Sequence, residues 1–200
     1  MMEGGDTSKL FVIIGSLDIG GTENHLFRVM PRLQGQGLEI SVIAFRRRGA
    51  LADEMERQNV PVLSPPPIKW MAHQKFIRRT FIFFWLGVIL ARKRPKIVHF
   101  FLPEAYLLGG LWSFLLGIPF RIMSRRSLNF YQKKHPLGAW LERYLHKTVD
   151  VLLGNSEAII RDLEKESANS KARIELIYNG IDLEGFVKKQ RPETTLLTLL

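Results

Sequence analysis

The residues best equipped for chemistry in this chain stand where apolar, strand-like runs end. Gly20 and Gly21 follow the run Leu10–Gly15 and open a helical pattern at Thr22-Glu23. Paired glycines before a helix let bare backbone N–H groups approach an anion such as phosphate, with the helix dipole assisting. The same residues also suit a plain tight turn. The loop is not GxGxxG, and the second strand-like run leads into Arg46-Arg47-Arg48 where a ribose-binding carboxylate would be needed, so ordinary NAD binding is disfavoured. A second candidate is Ser124-Arg125-Arg126-Ser127-Leu128-Asn129-Phe130-Tyr131. Arg125 and Arg126 offer planar cations, and Ser127, Asn129 and Tyr131 add hydroxyl, amide and phenol groups, the chemistry of a phosphate or sugar site. Lys133-Lys134-His135 extends that patch or forms a solvated helix entrance. His99 lies inside an apolar run, where a hydrogen-bonded core histidine is the commoner arrangement. Glu104 opens a helix, where the dipole favours a carboxylate in any case. Ser156 reads as a helix N-cap, and Asn179-Gly180 as a turn.

The elements that must position these groups alternate. Strand-like runs are expected at Leu10–Gly15, Ile40–Phe45, Val60–Leu63, Lys96–Phe101, Phe120–Ser124, Val149–Leu153 and Arg173–Tyr178. Helical periodicity fills the gaps: Leu26, Val29, Met30 and Leu33 with Pro31 as a kink, then Leu51–Gln58, Lys75–Arg92, Ala105–Leu116, the stripe Leu137, Trp140, Leu141, Tyr144 and Leu145, and a helix capped by Ser156. Strands separated by helices predict an α/β fold with a doubly wound, mostly parallel, Rossmann-like sheet of about seven strands. In such sheets ligands bind beyond the carboxyl ends of the strands.

Composition narrows the function classes. The 200 residues are 46% hydrophobic and 24% charged, a globular balance, and contain no cysteine, which excludes disulfides, thiolate metal sites and a thiol nucleophile. The start of the chain, with Glu3 and Asp6 before a short apolar run, does not have the basic-then-apolar pattern of a signal peptide, and the expected location is cytoplasmic. The net charge of +10 is unevenly spread: residues 46–147 hold nineteen Lys/Arg against five Asp/Glu, while both flanks are slightly acidic. That excess suits an anionic partner, whether phosphate, acidic lipid or nucleic acid, or simply basic helix faces. No helix-turn-helix, RNP or zinc pattern accompanies it, so specific nucleic-acid binding is not expected. The longest uncharged stretches, Thr80–Ala91 and Ala105–Phe120, are twelve and sixteen residues, short of the roughly 20 that span a bilayer. Phe81, Phe83, Phe84 and Trp85 are nevertheless bracketed by Arg78-Arg79 and Arg92-Lys93-Arg94, which fits either a core helix or a helix at an anionic membrane surface.

Five short segments in order complete the picture: Gly20-Gly21-Thr22-Glu23, Ile97-Val98-His99, Gly117-Ile118-Pro119, Asn155-Ser156-Glu157-Ala158 and Tyr178-Asn179-Gly180-Ile181-Asp182. Together they resemble the N-terminal, acceptor-binding half of a family-4 retaining glycosyltransferase of the two-Rossmann GT-B fold, over roughly residues 9–186. The resemblance implies a tail at 1–8, an acceptor-binding domain at 9–186, and a linker with the start of a second domain at 187–200, where Thr195–Leu200 reads as a strand. It implies that Gly20 and Gly21 approach the diphosphate of a UDP- or GDP-sugar donor, and that Glu104, Arg125, Arg126, Ser127, Asn129 and Tyr131 line the acceptor side. His99, Ser156 and Asn179 would line the cleft. The nucleotide sugar is a substrate, and no metal or other cofactor is expected. Arg125 and Arg126 stand where many relatives carry a histidine, which suggests an anionic acceptor, such as a glycan on a polyprenyl phosphate. The donor half, with its paired glutamates, is not in this sequence, so the chain alone is expected to transfer nothing. The competing expectations are a non-catalytic acceptor-binding module at a membrane surface that recruits a donor-binding subunit, and part of a GT-B-like sugar-nucleotide epimerase.

Overall fold

The computed structural model describes residues 9–67, 74–128 and 130–180. Seven strands, β1 (Lys9–Ser16), β2 (Glu39–Arg47), β3 (Val62–Leu63), β4 (Ile97–Phe101), β5 (Phe120–Arg125), β6 (Val151–Gly154) and β7 (Arg173–Leu176), form one sheet. Every neighbouring pair is parallel, in the order β3-β2-β1-β4-β5-β6-β7. The chain therefore winds outward in one direction from β1 and returns to wind outward in the other from β4. The switch point expected of a doubly wound sheet lies between β1 and β4.

Among the described residues seven helices make the connections: α1 (Gly21–Gly35), α2 (Leu51–Arg57), α3 (Lys75–Lys93), α4 (Pro103–Leu115), α5 (Phe130–Lys134), α6 (Pro136–Leu145) and α7 (Glu157–Glu166). Alternation along β1 explains the layers. Phe11 and Ile13 join Val98, Phe100, Met123 and Leu152 under α3, α4, α6 and α7. Leu10, Val12 and Ile14 join Ile40, Val42 and Ala44 under α1 and α2. Both faces of β1 are thus buried, which is why its sequence is a continuous apolar run. Right-handed crossovers put α1 and α2 over the β3-β2-β1 side of that second face.

Several boundaries differ from those expected. The strand expected at Val60–Leu63 is only Val62–Leu63, because Val60 and Pro61 turn into the sheet and only Val42 and Ile43 pair beyond them. Strand β5 runs one residue further, to Arg125. Helix α5 was not anticipated, since a single turn of helix has too little periodicity to register. Pro31 sits inside α1, which continues through it. Asn129, the 1–8 tail, and everything from Ile181 onward, including the expected strand Thr195–Leu200 and the linker at 187–200, lie outside the described residues.

Candidate active site

Two loops meet at the switch point. After β1, the chain passes Leu17 and Asp18 to Gly20, the extended residue at which α1 begins, with no side chain capping the helix. Gly21 has open space where a Cβ would project. The first N–H groups of a helix have no intrahelical partner, so this end offers donors and the positive pole of the dipole. Glu23 leans back over Gly20, its carboxylate 2.4 Å from where a Cβ on that residue would stand. An anion arriving here therefore displaces the Glu23 side chain. The loop itself is pinned by Gly49: at φ +78° its backbone packs against Leu17, where a Cβ would lie 2.2 Å from the Leu17 carbonyl carbon. Leu51 N–H donates to Leu17 O at 2.9 Å, completing the clamp.

After β4, Leu102 turns the chain at φ 73°, a region costly for a side-chain-bearing residue, about 1–3 kcal/mol, and so delivers Pro103 and Glu104 directly to the first turn of α4. Glu104 is ion-paired with Arg46 at 3.0 Å and lies 3.9 Å from Arg79. Arg46 in turn lies over Gly15, 3.0 Å from the position of a Cβ there. Glu104 is thus bridged to the end of β1 through Arg46.

The adjacent arginines part company. Successive residues of a strand point to opposite faces, and Arg125 turns under α6 and α7 while Arg126 turns toward the face bearing α1. Arg125 is fully buried, donating to Glu142 Oε1 at 2.6 Å and Glu166 Oε2 at 2.7 Å, and Gln132 of α5 donates to the other Glu142 oxygen at 2.8 Å. This is an internal ion-pair network fastening α5, α6 and α7 to β5. Of the two arginines expected side by side on the acceptor side, Arg125 contributes to the same groove as Arg126, but period-two alternation on β5 sends its guanidinium into the core. Arg126 stacks over Phe101, 5.2 Å from the ring centroid, and donates to Asn179 Oδ1. Burial pulls its pKa below the ordinary arginine value.

Arg126 shares a groove of about 340 Å³ with His25, His99, Ser124, Asn155 and Tyr178. His99 Nε2 and Ser124 Oγ are 2.7 Å apart. Burial, then the nearby Arg126 charge and the His25 ring opposing a further charge, pushes the His99 pKa down to about 3, so the ring is neutral at ordinary pH. His25 is likewise lowered to about 4, chiefly by burial. Neither is a proton donor near neutrality; both can accept or orient. Ser124 is almost completely buried, so its hydroxyl serves His99 rather than an incoming substrate. Asn155 Oδ1 is buried with no partner among the described residues.

The structure therefore brings His99, Arg126 and Asn179 together and keeps Gly20, Gly21 and Glu104 at the strand ends. Ser156 Oγ accepts from Ile159 N–H at 3.4 Å and caps α7. Ser127 is exposed just past β5, and Tyr131 falls in α5. Sequence reasoning missed His25, and it took Asn155 only as part of the Asn155-Ser156-Glu157-Ala158 segment rather than as a groove residue. His25 sits one position from the helix stripe that was noticed, and only the tertiary packing shows that it faces His99. Among the described residues no three His, Asp or Glu side chains cluster closely enough to hold a metal ion.

Comparison with known proteins agrees with this architecture. The chain aligns, at 15% identity and a TM-score of 0.65, with Anabaena Alr3699/HepE solved in complex with UDP, covering 88% of this chain and 45% of that one. It aligns with Acinetobacter baumannii MurG at 16% identity and a TM-score of 0.57, covering 89% and 47%. The UDP-GlcNAc 2-epimerase of Methanocaldococcus jannaschii is similar at 15% identity and a TM-score of 0.59, covering 86% and 45%. The chain spans less than half the length of these structures, and the likeness is one of fold, that of an N-terminal GT-B domain. No curated protein matches significantly. The family model described as Glycosyltransferase Family 4 matches residues 19–184, from the loop before Gly20 to beyond Asn179, and this chain belongs to that family.

Proposed function

We propose that this chain is the acceptor-side half of a retaining glycosyltransferase that moves a sugar from a UDP- or GDP-sugar to a glycan or lipid-linked acceptor. The observation that carries the reading is the N-terminus of α1 at the switch point, with no side-chain cap from Gly20 and with open space at Gly21 beside the Glu23 carboxylate, within a chain that belongs to Glycosyltransferase Family 4. There Gly20 and Gly21 present backbone N–H groups to the departing diphosphate, and stabilising its developing charge does much of the catalysis. Arg126 and Asn179 hold one wall of the neighbouring groove, and neutral His99 offers an orienting nitrogen rather than a proton.

The test is transfer assayed with the chain joined to, or mixed with, a donor-binding domain. Gly21→Asp, which places a carboxylate in open space at the helix end, is expected to leave the fold intact and to lower transfer at least 100-fold through donor binding. Unchanged donor KM and kcat would remove Gly21 from the site. The structures of UDP-GlcNAc 2-epimerases support a second reading, since they share this fold as well. Turnover of a nucleotide sugar with no acceptor present would favour it.

A separate surface of the domain bears on a lipid-linked acceptor. Phe84, Val88, Phe114 and Leu115 are 46–62% exposed on neighbouring α3 and α4, joined through the Phe84–Trp112 ring contact, with Arg92, Lys93 and Arg94 at the helix end. Among the described residues no helix is long and apolar enough to cross a membrane. An exposed apolar strip edged by cations matches an anionic bilayer surface, where each Lys or Arg adds about 1 kcal/mol. The chain is expected to co-sediment with phosphatidylglycerol-containing vesicles, and Phe84→Glu with Leu115→Glu to abolish it. Equal sedimentation of the variant would show that this face does not contact lipid.

A further inference from the structure

A cavity of about 390 Å³ opens at the carboxyl ends of β2 and β3, beneath the first turns of α3. It is separate from the groove of Arg126 and His99, sharing no lining residue with it. Its walls are apolar, with Phe45, Phe81 and Ile82 on one side and Pro65–Pro67 on another, yet guanidinium groups reach it from two directions.

The charges there do not balance. Arg47 is taken by Asp18 at 2.5 Å, and Arg48 by Asp53 at 3.1 Å and by Glu56. That leaves Arg46 and Arg78 on the lining, with Arg79 beside them on α3, and Glu104 as the carboxylate that serves both Arg46 and Arg79. Two further donors lack a use. Arg78 and Ser64 both line this cavity, and their Nε and Oγ atoms are buried with no hydrogen-bond partner among the described residues. Burying a donor on a cation without an acceptor is costly, and an anion supplies both the charge and the acceptor oxygens.

We infer that this cavity is a phosphate-ester subsite, in which Arg78 and Ser64 grip the phosphate or diphosphate of the acceptor while Arg46 completes the charge. The inference rests on the acceptor-side reading above and assigns it a substrate class. An ester fits better than free phosphate in geometry, because the apolar wall of Phe45, Phe81 and the prolines gives an organic group a place to lie beside the anion. The arginine array that begins at Arg46 thus takes the role expected of Arg125, whose guanidinium is committed to the core.

The experiment is calorimetric titration of the full chain with inorganic pyrophosphate and, separately, with farnesyl diphosphate. Binding is expected, weakened at least tenfold by Arg78→Gln and several-fold by Ser64→Ala, with Arg161→Gln on the exposed face of α7 as the unaffected control. Thermal melting of each variant checks that it is folded. Farnesyl diphosphate binding tenfold tighter than pyrophosphate identifies a lipid head group as the source; equal affinities identify a soluble phosphate ester. Either result supports the subsite. Absence of binding by both probes, or Arg78→Gln and Ser64→Ala titrating like the parent chain, overturns it. Transfer that persists unaltered in Arg78→Gln would overturn the subsite while sparing the transferase reading. Binding without transfer would do the reverse.

Discussion

Arg125→Ala is expected to destabilise the domain by about 3–5 kcal/mol, enough to unfold many domains outright, whereas Arg126→Ala next to it should cost about 1 kcal/mol. The difference follows from what each removal leaves behind. Without Arg125, Glu142 stays fully buried with Gln132 as its remaining side-chain donor among the described residues, and Glu166 loses its cation. Without Arg126, a stacking contact on Phe101 and one hydrogen bond to Asn179 disappear from a half-open groove. Urea denaturation of the two single variants measures both. Glu142→Leu combined with Arg125→Met should lose far less than the sum of Arg125→Ala and Glu142→Ala, because it removes both buried charges together. Equal, small effects of Arg125→Ala and Arg126→Ala would mean that Arg125 is not locked between α6 and α7. The pairing also decides how binding experiments are designed, since loss of acceptor binding in Arg125→Ala would report unfolding.

Acidification from pH 6.5 to 5 should destabilise the chain with a slope that rises toward about 1.4 kcal/mol per pH unit for each histidine that titrates only when unfolded. His146 is fully buried between Tyr106 and the Arg125 network, and burial, then the Arg125 charge, pushes its pKa down to about 3. His99 is lowered to about 3 as well. Both rings stay neutral in the folded chain across this window, while unfolded histidine, with a pKa near 6.5, takes up a proton. The unfolded state then binds more protons, so stability falls with pH below about 6.5 and is level above it. Urea midpoints at pH 7.5, 6 and 5 read the slope, and His146→Phe should flatten it by one histidine's worth. A midpoint that does not move between pH 7.5 and 5 would show that the buried rings are protonated in the fold.

The architecture was legible in the sequence because it is written in periodicity. The continuous apolar run of β1, the spacing of Leu26, Met30 and Leu33, and the Pro65-Pro66-Pro67 stop each follow from one element's own burial. Strands separated by helices leave few topologies open, and seven parallel strands were within that set. The loops at Gly20-Gly21 and Glu104 could also be placed, since chemistry in such a fold collects at strand ends.

Side-chain direction could not be read the same way. Two adjacent arginines look like one cationic site in a linear sequence, but where a strand ends decides which face each one meets, and β5 ran one residue further than its apolar residues implied. The pairing of Arg46, Arg79 and Glu104 joins three elements, and so does the cavity above Ser64 and Arg78. From its own pattern the sequence determined the class of fold, the order of elements and the loops where chemistry gathers, because burial and hydrogen bonding within an element depend on near neighbours. Which charges neutralise one another, and which donors are left for a ligand, was decided only by tertiary packing, because those pairs are assembled from residues up to 58 positions apart.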